Sequence, residues 1–280
     1  MSYLHIDNLY KNQDIFLFKK VYVMEKIHGT SAHVQCIKGK LSFFSGGSAH
    51  NKFVEIFSET LAGKMHGFKQ DIIIYGEAYG GKQQGMRDTY GDKLKFVVFD
   101  VKINDCWLNV IKAERIAKEL GLEFVWYSKT STDIEELDKF KNQDSMQAIR
   151  NGQGEGKKAE GIIIRPLMEL TRNNGERIIV KHKRDDFRET KTKRRVLDPS
   201  ELKVIEKAEE VAEEWVTLMR LNHVLDKIEN HSIEKMKDIL IAMCEDIKRE
   251  GVGEIIWSKE VQKAISKKTA LFYKKYKLKP

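Results

Sequence analysis

The chain has 280 residues, of which 41% are apolar and 33% charged. That length admits one large domain or two ordinary ones, and only 3 prolines with no low-complexity tract exclude a disordered chain. Lys and Arg number 50 against 42 Asp and Glu, a net charge of +8, which favours a polyanionic partner such as nucleic acid or a nucleotide.

The cysteines, Cys36, Cys106 and Cys244, are far apart and form no C-x-x-C pair. A disulfide framework and a cysteine-rich zinc site are thereby excluded, and three lone thiols fit a reducing compartment. The opening residues, MSYLHIDNLYKNQD, hold no apolar signal core, and no apolar run approaches the length of a membrane span. The expected location is therefore intracellular, in the cytoplasm.

In chain order, Ile15 to Lys26 is β-branched and aromatic-rich. Ala32 to Ile37 and Lys40 to Phe44 read as a hairpin closed by the two-residue turn Lys38-Gly39. Further strands are expected at Ile72–Tyr75, Lys95–Val101, Glu123–Tyr127, Gly161–Arg165 and Arg177–His182. Val110 to Leu120 reads as a helix, with Asn109 as N-cap and Gly121 just past its end. Strands with interspersed helices and no βαβ rhythm predict an α+β fold with a largely antiparallel sheet.

From Asp198 the texture changes. Asp198-Pro199-Ser200-Glu201 reads as a helix start, followed by apolar residues at helical spacing from Val204 through Trp215 to Met219. A second helix is expected from about Ser232 to Arg249, ended by Gly251, and a third within Glu254 to Tyr276. Residues 1–196 and 197–280 thus read as two domains, the second small and all-helical. The segment 181–195 carries eight basic and three acidic residues, suited either to a solvated linker or to phosphate contact.

Five short motifs carry candidate chemistry. Glu25-Lys26-Ile27-His28-Gly29 delivers a lysine to a glycine turn. A lysine amine is a poor nucleophile at its ordinary pKa of about 10.4, but desolvation or neighbouring cations expose the free amine, which can attack phosphorus. Ile74-Tyr75-Gly76-Glu77 ends a strand with a carboxylate. Phe96-Val97-Val98-Phe99-Asp100-Val101 sets an aromatic beside an acid. Ala159-Glu160-Gly161-Ile162-Ile163-Ile164-Arg165-Pro166 has Glu at one end and Arg at the other. Val180-Lys181-His182-Lys183 puts two lysines on one strand face.

In this order, spanning residues 25–183, EKIHG, YGE, FVVFDV, AEGIIIRP and VKHK resemble the covalent nucleotidyltransferase superfamily of polynucleotide ligases and messenger-RNA capping enzymes. Within it they look most like the ATP-dependent RNA ligase 2 family, and the helical C-terminal region agrees with that choice. The resemblance implies an ATP-grasp-like nucleotidyltransferase domain that adenylylates itself, followed by a small all-α domain. It implies that Lys26 attacks the α-phosphate of ATP, that AMP passes to an RNA 5′-phosphate, and that a 3′-hydroxyl then displaces AMP. The RNA would be a nicked duplex or single-stranded ends.

By the same resemblance Glu25, Ile27 and His28 border the nucleotide. Glu77 accepts a ribose hydroxyl and Phe99 stacks on adenine. Lys181 and Lys183 hold phosphates and depress the Lys26 pKa, and Arg165 stands where the family usually has Lys. Glu160 and Asp100 are implied ligands of Mg2+ or Mn2+. The tract FFSGG (43–47) departs from the pattern, with Ser45-Gly46-Gly47 where the family usually offers an arginine. A DNA ligase, a capping guanylyltransferase or a non-catalytic nucleic-acid-binding module are the alternatives.

Overall fold

A computed structural model describes residues 3–187, 208–228 and 232–276. The chain divides into two compact units, Met1–Ile6 with Asp14–Arg184, and Asp7–Gln13 with Asp185–Pro280. The expected domain boundary at 196/197 and the helix start at Asp198-Pro199-Ser200-Glu201 lie outside the described residues.

In the first unit two antiparallel sheets face one another. One sheet carries β2 (Lys20–Lys26), flanked on either side by β8 (Tyr127–Ser131) and β9 (Gly161–Pro166), with β10 (Val180–Lys183) beyond β9. The other runs β4-β3-β5-β6-β7, with β3 at Thr30–Ile37, β4 at Lys40–Phe44, β5 at Ile72–Tyr79, β6 at Lys95–Ile103 and β7 at Cys106–Trp107. The α+β expectation thus describes this unit. One core joins Met24 and Ile27 of β2 to Val34, Ile74 and Val98 of the second sheet, and to Leu61, Met65, Ala113 and Ala117 of helices α2 (Glu59–His66) and α4 (Val110–Leu120).

Local chemistry explains most of the elements. Lys38 and Gly39 both have positive φ, 49° and 72°, as a tight two-residue hairpin turn requires. Asn109 caps α4, its side-chain oxygen accepting from the Lys112 amide at 3.0 Å, and Gly121 ends the helix at φ 78°. The strand expected at Glu123–Tyr127 is displaced. Glu123 to Val125 run beside β6, with both the Val98 amide and its carbonyl hydrogen-bonded at 2.8 Å. The chain then crosses to the other sheet, and pairing with β2 begins only at Tyr127. That crossing uses the backbone of residues 123–126 to tie the two sheets together. Two further short helices, α5 (Ile134–Asn142) and α6 (Met146–Arg150), start at side-chain caps from Asp133 and Ser145.

The second unit begins with β1 (Asp7–Asn8) and is otherwise helical over its described residues: α7 (Ala208–Trp215), α8 (Leu218–Leu225), α9 (Met236–Glu250) and α10 (Lys259–Tyr276). The apolar run through Trp215 and Met219 is two helices rather than one. Thr217 breaks it, accepting at Oγ1 from the Arg220 amide and so capping α8. Trp215, Leu221, Ile239, Met243, Ile247, Val261, Ile265 and Tyr273 form the core of this unit. Within it Arg220 is buried against Asp246, with its guanidinium over the Trp215 ring. Among the described residues no helix is long and apolar enough to cross a membrane.

Asn109→Ala should lower stability by about 1 kcal/mol, since the Lys112 amide then loses its capping acceptor. Urea denaturation monitored by circular dichroism measures the difference.

Candidate active site

Lys26 is the last residue of β2, and its Nζ donates to Glu160 Oε2 at 2.7 Å. Glu160 immediately precedes β9, where Gly161 pairs with Lys26. Lys183, at the end of β10, pairs with Gly161 from the other side and places its Nζ 3.0 Å from Glu160 Oε1. His28 Nδ1 lies 3.1 Å from Glu160 Oε2. One buried carboxylate, 3% exposed, therefore gathers two lysines and a histidine.

Gly29 closes the turn because nothing larger fits: a Cβ there would lie 2.4 Å from the Ala78 carbonyl oxygen and 3.0 Å from Glu77 Cγ. Its amide donates to Glu77 Oε1 at 3.2 Å, which locks the end of β5 against the nucleophile turn. Gly161 is equally obligatory: at φ 151° its Cβ would meet the His182 carbonyl oxygen at 2.3 Å. Four of the expected residues, Lys26, Glu77, Glu160 and Lys183, thus converge, with His28 beside them. Lys181 lies two pairs inward from Lys183 on the same face of β10, opposite Ile163. Ile27 is buried in the core.

The structure places three other expected residues differently. Arg165 pairs with Tyr22, four residues from the Lys26–Gly161 pair, a separation of about 13 Å along the strand. Its guanidinium is 1% exposed and bound to Asp100 Oδ1 at 3.2 Å, to Glu169 and to the Leu108 carbonyl oxygen at 2.8 Å. It is a link between the sheets, remote from the Lys26 amine. Asp100 is fully buried in the same cluster, receiving Arg177 Nη1 at 2.6 Å and the Tyr3 hydroxyl at 2.7 Å. Both of its oxygens face guanidinium groups, so a metal finds no open side there. Glu25, one residue before Lys26, points to the opposite face of β2 and is hydrogen-bonded by Ser145 Oγ at 2.5 Å and by the Gln147 amide at 3.0 Å.

Phe99 occupies a β-bulge. Tyr75 faces Asp100 and Gly76 faces Val98, which leaves Phe99 as the extra residue. Its ring meets Tyr3 edge-on at 4.8 Å, and Tyr3 also touches Tyr75 and Trp107. Tyr3 and Arg177 have no signal in the sequence, because their partner Asp100 lies 97 and 77 positions away, and Glu169 joins the cluster only through Arg165 and Arg177. The FFSGG departure is a tight turn. Gly46 at φ 60° lies against the Ser31 backbone, and Lys40 sits at the far end of β4, beyond reach of the position left without an arginine.

The sequence model of one family, RNA ligase, matches residues 19–183, the stretch that holds all of these motifs. The chain belongs to the RNA ligase family. No curated protein matches the sequence as a relative. Among solved structures, this RNA ligase family member is similar to Naegleria gruberi RNA ligase with PPi, at 15% identity and a TM-score of 0.53. It is also similar to a mutant of that ligase with ATP and Mn (16% identity, TM-score 0.54) and to another with AMP and Mn (15%, 0.52). Each comparison covers 67% of this chain and 57% of the other, so the chain spans little more than half the length of those ligases. Likeness at that identity carries the fold, and it agrees with the two-sheet architecture found here.

The electrostatics of the family member's site separate its two carboxylates. Burial by itself would raise the Glu160 carboxyl, but Lys26, Lys183 and His28 outweigh it and hold the group well below the usual carboxylate range. Glu77 is also desolvated, though partly exposed, and has weaker compensation. Its carboxyl is pushed up to about 8, with Lys26 opposing the rise and the charge of Glu160 adding to it. Asp100 is held low: burial raises it, and Arg165 and Arg177 more than reverse this. Among the described residues no group of three His, Cys, Asp or Glu side chains could hold a metal by itself.

Two predictions follow from these charges. Glu77 keeps its proton in the folded state up to about pH 8, whereas an unfolded glutamate loses it near 4.5. Its contribution is therefore fully present below pH 4.5 and is lost as pH rises toward 8 and above. Glu77→Gln should lessen the fall in stability between pH 5 and 8.5 by on the order of 3 kcal/mol, after discounting partial exposure, as read by denaturant melts at each pH. Asp100→Ala should cost about 3–5 kcal/mol, because it leaves two buried guanidinium groups with Glu169 as their one shared carboxylate. The same melts at pH 7 measure it.

Proposed function

We propose that the chain is an ATP-dependent RNA ligase that joins a 3′-hydroxyl end to a 5′-phosphate end of RNA through a lysyl-AMP. The observation that carries this is the Lys26 amine on Glu160, with Lys183 on the same carboxylate and the Glu77 carboxyl closing the turn beside it. The Lys26 ammonium gives a proton to solvent and the resulting amine attacks the α-phosphorus of ATP; a nitrogen–phosphorus bond forms, the bond to pyrophosphate breaks, and a second amine proton passes to solvent. An oxygen of the RNA 5′-phosphate then attacks the same phosphorus and the lysine leaves, recovering its proton. The 3′-hydroxyl finally attacks the activated RNA phosphate and AMP departs.

Phosphoryl transfer of this kind depends on placement and charge neutralisation. Lys183 and Lys181 supply fixed positive charge toward the nucleotide's phosphates. Glu160 receives the Lys26 ammonium before reaction and so holds the amine in line. Glu77 contacts a ribose hydroxyl, and Phe99 offers its ring to adenine. A Mg2+ or Mn2+ ion would be held by Glu160 only in exchange for one of the groups now on its two oxygens, Lys26, His28 or Lys183, and would there neutralise charge on the leaving pyrophosphate.

Residues 1–196 carry the adenylyl transfer in this proposal, and 197–280 engage the RNA. Supporting the second part, Lys259, Lys263, Lys267 and Lys274 are exposed along one side of α10. The reaction belongs in the cell interior, where ATP and RNA meet and where free thiols such as Cys36, Cys106 and Cys244 persist.

Incubation with α-labelled ATP and Mg2+, followed by a denaturing gel, should place covalent label on the wild-type chain and none on Lys26→Ala. Sealing should then be found on nicked RNA rather than nicked DNA. Labelling by GTP alone would transfer the proposal to capping chemistry, and RNA binding without any covalent label would leave a binding module in place of an enzyme.

A further inference from the structure

Behind the nucleophile turn lies a second set of buried polar groups that the proposed reaction does not use. The Glu25 carboxylate is 3% exposed, and its two oxygens are hydrogen-bonded by Ser145 and Gln147, both wholly buried. Ser145 Oγ also accepts from the Ala148 amide at 3.0 Å, so its own proton is committed to Glu25. Gln147 Nε2 donates onward to the Tyr79 hydroxyl at 2.8 Å and to Glu123 Oε1 at 3.1 Å. The Tyr79 ring meets the Tyr90 ring edge-on at 5.3 Å, and the Tyr90 hydroxyl accepts from the His28 amide at 3.3 Å. These contacts grip the EKIHG turn at both ends, Glu25 on one side of Lys26 and His28 on the other.

Resting on the reaction proposed above, we infer that Glu25 is a positioning residue: by accepting hydrogen bonds from Ser145 and Gln147 it clamps the strand that carries Lys26, so that the amine is delivered to Glu160 and to the α-phosphate. Alternation along β2 gives the geometric reason. The side chain before the nucleophile must face away from the nucleotide, and a carboxylate anchored there fixes the backbone from behind. A purely apolar residue would pack as well but would not set the rotation of the strand end, because dispersion has no direction while hydrogen bonds do.

Two hydrogen bonds arrive at Glu25 as donors, so only the ionised carboxylate accepts both without rearrangement. Burial pushes the carboxyl up to about 7, with Ser145, the Gln147 amide and Arg150 opposing the rise. Arg150 of α6, Glu123, Tyr79 and Tyr90 are the ionisable groups facing it from the neighbouring segments. Both tyrosines are raised by burial and are neutral at pH 7. The clamp is therefore tight above about pH 7 and slack below it.

Single-turnover adenylation is the test, using wild type, Glu25→Gln as a copy of the protonated form, and Glu25→Ala. Glu25→Ala should lower the rate constant at saturating ATP about tenfold or more with half-saturating ATP unchanged. The ratio of wild-type to Glu25→Gln rate constants should climb as pH passes through 7, because every other titration in the site is shared by the two proteins. A flat ratio overturns the inference, and so does a defect confined to half-saturating ATP, which would make Glu25 a nucleotide contact. Acylation of Lys26 by an amine-reactive probe, located by mass spectrometry, reads the same ratio without ATP. If no variant takes up AMP, the proposed reaction fails while this ratio still decides for or against the clamp.

Discussion

The structure of the site depends on keeping a buried carboxylate ionised. Glu160 is almost without solvent, and an isolated carboxylate at that depth would take up a proton. It stays charged only because Lys26, Lys183 and His28 are brought onto it by three separate segments: the end of β2, the end of β10 and the turn after β2. The dependence is mutual, since each cation is immobilised by the same two oxygens. A lysine free in solvent would sample many rotamers, and here that freedom is removed before any nucleotide arrives.

A second buried charge cluster does different work. Asp100, Glu169, Arg165 and Arg177 form a set of two carboxylates and two guanidinium groups, completed by the Tyr3 hydroxyl. Asp100 comes from β6 and Arg165 from β9, so the cluster fastens one sheet to the other at a fixed separation. Planar guanidinium groups suit this use better than ammonium groups, because each can address two acceptors at once. The spacing between the sheet that carries Lys26 and the sheet that carries Glu77 is thus fastened at a point remote from the Lys26 amine.

Much of this was legible in the sequence, and the limits were physical. The hairpin turn and the α4 caps are local signals, written within a few residues, and the structure repeats them. The convergence of Lys26, Glu77, Glu160 and Lys183 was legible from motif order. Face alternation was visible too, but register was not. Nothing in AEGIIIRP states that Gly161 rather than Arg165 stands opposite Lys26, and that choice alone removes Arg165 from the nucleophile. The same applies to Asp100, whose partners come from remote parts of the chain. The expected strand at Glu123–Tyr127 is displaced because its apolar residues serve a crossing between sheets, which has the composition of a strand but pairs only briefly with each sheet.

The two carboxylates nearest the nucleophile show how one site sustains opposite protonation states. Glu160 and Glu77 are both enclosed, and each feels the other's charge. The cations settle on Glu160, so ionising Glu77 as well would place a second negative charge beside the first with little left to neutralise it. Glu77 therefore holds its proton through neutral pH, one oxygen accepting the Gly29 amide and the other carrying a hydroxyl. In the proposed reaction this division is useful. The ionised acid restrains an ammonium group that must later give up its proton, while the neutral acid presents a hydrogen-bond donor to an uncharged ribose. Exchanging the two roles would strand the Lys26 ammonium against a neutral carboxyl and place a bare charge where a sugar is to bind, so the asymmetry of the cations, rather than any difference between the glutamates, determines which acid does which task.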